Sequence, residues 1–123
     1  MNIRSLFAIA VTTFTMGVLM PAAPAAQPKG ERVTVRGEVV EMWCYLEGGD
    51  RGPAKKACAT ACARAGNPIA LVDDKSQLYV LAGLKDHQPA QELLLNKMSE
   101  VVTVTGTLVR HPNAQMIYIE SVK

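Results

Sequence analysis

A chain of 123 residues has room for one domain and little else. Its 13 Lys and Arg and 11 Asp and Glu are interspersed and leave a formal net charge of +2. No basic stripe is present to neutralise phosphates, so no nucleic acid partner is expected. The chain contains no P-loop, dinucleotide fingerprint, G-x-S-x-G elbow or Ser-His-Asp spacing, and no enzyme chemistry follows from those motifs.

Residues 1–25 read as a secretory signal peptide. Arg4 is the only charge there, Leu6 to Met20 is uncharged and mostly apolar, Pro21 interrupts any helix, and Ala23-Pro24-Ala25 fits the small-x-small cleavage rule. The apolar run is about 15 residues, below the roughly 20 that span a bilayer, so no stable membrane anchor is expected after cleavage. This reading sends the mature protein to the periplasm or out of the cell. Residues 26–32, with Pro28 and Gly30, read as a flexible leader, and 33–123 as a single domain.

In the mature chain, Val33, Val35 and Val39 alternate with Thr34, Arg36 and Glu38, the period of a half-buried strand. The parity shifts at Val39-Val40, so that Val40, Met42 and Cys44 share a face. Gly37 just before the shift suggests a β-bulge. Glu47 to Pro53 reads as a loop and Ala54 to Ala65 as an alanine-rich helix, with Pro53 in its first turn and Gly66-Asn67-Pro68 stopping it. Ile69 to Val72 and Leu78 to Leu81 read as strands about the turn Asp73-Asp74-Lys75-Ser76. A second helix starts near Asp86 to Pro89, with Leu93, Leu94, Leu95 and Met98 giving it a broad apolar face. Val102 to Leu108 and Met116 to Val122 are the last strands, divided by His111-Pro112-Asn113.

VTVRGEVV at Val33–Val40 is echoed by VTVTGTLV at Val102–Val109, with a glycine at the same place in each. On these segments and on the element order, most of the mature chain resembles small exported bacterial OB-fold-like domain proteins. The resemblance implies a β-rich, five-stranded, partly open Greek-key barrel, with a cysteine-bearing helix inserted after the first strand and a helix between strands 3 and 4. It implies a fold and leaves function to be argued from a site.

The site-like feature is sulfur. Cys44 follows Met42-Trp43, and Cys58 and Cys62 stand four apart, on one face of the predicted helix. Three readings follow. Cys44 with Cys58 or with Cys62 is a candidate disulfide, which an oxidising compartment favours and which would staple an interaction module for an unidentified protein partner. A Cys58–Cys62 bond is disfavoured by helix geometry, so one thiol is left over. Alternatively Cys44, Cys58 and Cys62 form a three-thiolate metal site for a soft ion, copper or zinc; Met42 is a soft donor nearby, but as one of several methionines it reads as core in preference to a fourth ligand. Thiol–disulfide exchange is the third reading, helped by Lys55 and Lys56 and opposed by the lack of a C-x-x-C motif. His87 and His111 fall in turns and are not expected to be ligands.

Overall fold

The computed structural model describes residues 29–123; residues 1–25, read above as a signal peptide, and the start of the expected leader lie outside the described residues. The first alternating segment forms β1 (Glu31–Glu41), which begins before Val33 and carries two sets of neighbours. From Glu31 to Glu38 it pairs antiparallel with β4 (Val101–His111), and from Gly37 to Glu41 with β2 (Ile69–Asp73). β2 returns antiparallel as β3 (Leu78–Gly83), and β5 (Ala114–Val122) lies antiparallel to β4 and parallel to β3. The β3–β5 pairing closes the sheet into a barrel of order β1-β2-β3-β5-β4. The helices α1 (Met42–Gly48) and α2 (Lys56–Arg64) follow β1, and α3 (Gln91–Leu94) sits between β3 and β4, which makes the domain an OB-fold-like barrel.

The echoed segments pair with each other. Val33 lies opposite Gly106 and Gly37 opposite Val102, with Val35 facing Val104 at the centre, so each glycine meets the other segment's first valine. The glycines are required by close approach. A Cβ on Gly37 would stand 2.5 Å from the Val72 carbonyl oxygen, and one on Gly106 would overlap the carbonyl of Tyr118. Gly106→Ala is therefore expected to destabilise the domain by about 1–3 kcal/mol in urea unfolding. Gly48→Ala, at a position where the new methyl meets nothing closer than 3.6 Å, should be tolerated.

The bulge inferred at Gly37 is absent. Pairing runs through Gly37 in regular register on both sides, and the register shift falls at the echo position, between Thr105 and Gly106 against β5. The apolar pair Val39-Val40 reflects burial of both faces of the strand rather than a change of parity. Val39 points into the barrel core with Leu71, Val104 and Ile117, and Val40 joins Ala70 and Val72 in a second cluster outside the barrel wall.

The helix expected to run from about Pro89 to Met98 is shorter. One α-helical turn, Gln91–Leu94, passes into a 3-10 turn, Leu95–Lys97, and Ser99 takes φ 59°. The reason is a backbone requirement elsewhere. Val39 leaves its partner in β4 at this level, and its N–H and C=O bond instead to Glu100 O (2.9 Å) and Ser99 N–H (2.8 Å). The chain must break the helix to reach them. Leu94 and Met98 are still fully buried and plug the barrel end as their spacing indicated.

Candidate metal centre

The sequence pattern predicts a strand continuing through Cys44. Instead the chain turns into α1 at Met42, because Glu41 caps it. The Glu41 carboxylate is 1% exposed, and its two oxygens accept the backbone N–H groups of Trp43 (2.8 Å) and Cys44 (2.9 Å). Gly49, at φ 69°, ends the helix, and its N–H bonds to Tyr45 O. The helical spacing then sorts the side chains. Met42 and Tyr45 pack on Val40, Ala70 and Val72, while Trp43 and Leu46 face outward, at 56% and 65% exposure. Cys44 is left on a third side. Met42 thus packs against the second cluster, as a core residue does.

The loop after α1 is drawn back by β1. Glu38 is buried and accepts from Arg51 Nε at 3.1 Å and from the Gly52 N–H. Lys55 pairs with Asp50 at 3.0 Å. A 3-10 turn, Pro53–Lys55, leads into α2, with proline at its start as anticipated. Ala59 and Ala63 seat α2 on the barrel core, where their small size permits close approach. Cys58 and Cys62 each precede one of these alanines, so they project about 100° round the helix. Lys56 to Glu100 (2.6 Å) and Gln91 Nε2 to Asn67 O (2.7 Å) tie the ends of the α2 segment to neighbouring loops.

These constraints bring the sulfurs together. Cys44, Cys58 and Cys62 are free thiols whose Sγ atoms all lie within 4.8 Å of one another. Among the described residues they are the group of three or more His, Cys, Asp and Glu side chains arranged to hold an ion. Separations of 4.1–4.3 Å are about twice a disulfide bond length. The centre of such a triangle lies about 2.4 Å from each corner, close to the roughly 2.3 Å of a zinc–thiolate bond. Cys58 is exposed, and Cys44 and Cys62 are half-buried.

The electrostatics favour the protonated thiol at Cys44 and at Cys62. Cys44 is pushed up to about 12, first by the hydrogen bond its S–H donates to Glu41, then by burial and by the Glu41 charge. Burial pushes the Glu41 carboxyl up, but the bonds it accepts from the Cys44 thiol and from the N–H groups of Cys44 and Trp43 outweigh this and hold it below the usual carboxylate range. Burial, with Cys58 alongside, raises Cys62. The Lys55 ammonium is held up by Asp50 and, more weakly, by Cys58 and Cys44, which places it beside the sulfurs.

An order of reactivity follows. In metal-free, reduced protein, iodoacetamide should modify exposed Cys58 first and Cys44 last, with Cys44 resisting until the pH nears 12; peptide mass mapping across pH would show it. The linked stability has a definite sign. Cys44's value in the folded state exceeds that of an unfolded thiol, roughly 8.5, so its contribution is complete below that pH and is lost as pH rises toward about 12. The Glu41 contribution has the opposite sense. It is present above the ordinary carboxylate pKa and is lost as pH falls through the lowered one.

The structure therefore assembles all three cysteines singled out from the sequence, with Lys55 beside them as the thiol-exchange reading noted, together with two residues that the sequence did not flag, Glu41 and Asp50. The signal for Glu41 was faint, an acidic residue ahead of a seven-residue segment closed by Gly48-Gly49. His87 and His111 are exposed and lie outside the cluster. Comparison of the chain with protein families, curated proteins and solved structures finds no match.

Proposed function

We propose that this protein is a non-enzymatic, exported metal-binding domain that holds one soft ion, copper or zinc, on Cys44, Cys58 and Cys62, for storage or delivery in the periplasm or outside the cell. The sulfur triangle carries this reading. Two helices anchored independently, one by Glu41 and the other by Ala59 and Ala63, present three thiols at a radius that suits a metal–thiolate bond. Export rests on the signal-peptide pattern of residues 1–25. Delivery is supported by the exposed Cys58, which leaves the ion reachable by an acceptor's own thiolate.

The test is titration of reduced, metal-free protein with Zn(II) and with Cu(I) under anaerobic conditions. Binding of one ion, with protection of all three cysteines from alkylation and release of their protons, is the expected result. Absence of binding by either ion would overturn the reading. So would recovery of the secreted protein with a two-dalton mass loss and a single alkylatable cysteine, which would make Cys44 half of a staple in an interaction module.

A further inference from the structure

The charge around the sulfurs bears on which ion they would select. Cys44 and Cys58 line a narrow crevice together with Glu41, Asp50 and Lys55. Asp50 and Lys55 neutralise one another at 3.0 Å. The other cations close in sequence are committed elsewhere, Arg51 to Glu38 and Lys56 to Glu100. Glu41 is different. Among the described residues it takes part in no ion pair, and its partners are the backbone N–H groups of Trp43 and Cys44, the Cys44 thiol and the Asn67 side chain, all uncharged.

Three thiolates beside this carboxylate place four negative charges close together at a half-buried site. A monovalent ion leaves three of them uncompensated, and a divalent ion leaves two. Even at an effective dielectric of about 20, as for charges near a protein surface, that difference is substantial. Cu(I) is intrinsically the softer partner for sulfur, so the carboxylate acts against the preference that the ligands alone would set.

We infer that Glu41 is a specificity-determining residue, which biases the three-cysteine site toward a divalent ion such as Zn(II) over monovalent Cu(I). The inference rests on the metal-binding reading and deepens it. Glu41 also positions Cys44 by capping α1, which affects the affinity for both ions. The charge role changes their ratio. Lys55→Gln alters the charge beside the sulfurs and leaves the cap in place, so a charge role requires the two variants to move the ratio in opposite directions.

The experiment measures Zn(II) and Cu(I) dissociation constants by chelator competition in the wild type, Glu41→Gln and Lys55→Gln. Glu41→Gln is expected to lower the Zn(II)/Cu(I) affinity ratio about tenfold or more, as loss of a unit charge several ångströms from the ion should do at an effective dielectric of about 20. Lys55→Gln exposes the Asp50 charge and should raise the ratio. If Glu41→Gln does not fold, the Lys55→Gln ratio decides alone. Wild type that binds one ion, with the ratio unchanged in the variants that fold, overturns this inference and leaves the metal site standing. Wild type that binds neither ion overturns both.

Discussion

Replacing Cys62 by Ser should lower metal affinity at least about a hundredfold and leave the metal-free fold intact. Loss of a residue that merely supports a ligand typically costs 10–100-fold, and removing one of three ligands must cost at least the upper end of that range. The fold should survive because Cys62 takes no part in seating α2, which rests on Ala59 and Ala63. Serine is close to cysteine in shape, and the site is half-buried and open to water on one side, so the hydroxyl has no large desolvation penalty. Cys44→Ser and Cys58→Ser should behave alike, because a triangle that loses any corner is left with two donors. Chelator competition reads the affinity and urea unfolding of the metal-free protein reads the fold. Unchanged affinity in any of the three variants would remove that cysteine from the site.

Leu71→Ala should give the converse result, with stability reduced by about 2–5 kcal/mol and the metal constant of the folded protein nearly unchanged. Leu71 lies on β2, is fully buried, and pairs with Val39 on one side and Tyr79 on the other. Its side chain fills the space beside Gly37, where no Cβ can stand. Truncation leaves a cavity in the middle of the wall, which the surrounding strands cannot close without breaking pairing. A domain of this size is held by about 5–15 kcal/mol, so the midpoint in urea should fall sharply. The cysteine helices are held by Glu38 and Glu41 as well as by Ala59 and Ala63, which share the core with Leu71 but are not altered by the substitution. Loss of affinity in step with loss of stability would show that the sulfur triangle depends on the core more closely than these contacts indicate.

Both outcomes turn on a division between what is local along the chain and what is not. Proline at the entry to the α2 segment, the Gly66-Asn67-Pro68 stop, the Asp73 turn and the β2–β3 hairpin all appear where residue chemistry places them. Each depends on neighbours a few residues away. The barrel was legible because the valine alternation and the echoed glycines describe two long strands, and those strands pair with each other in matching register. The misreadings share one cause. Glutamate is not among the favoured N-caps and seven residues are too few to form a stable helix alone, so α1 is a product of its packing on Val40, Ala70 and Val72. The early end of α3 answers hydrogen bonds owed to Val39, some 60 residues earlier in the chain.

By itself the sequence determined the strand and turn order, the apolar faces that make a small barrel, and the presence of three sulfurs in one half of the chain, because periodicity and turn chemistry act over short range. Only the tertiary structure decided that the barrel closes through the parallel β3–β5 pair, that Cys44 rides on a helix, and that a buried carboxylate stands beside it. Those features arise from hydrogen bonds and burial between segments far apart in sequence, where no local pattern records the partner.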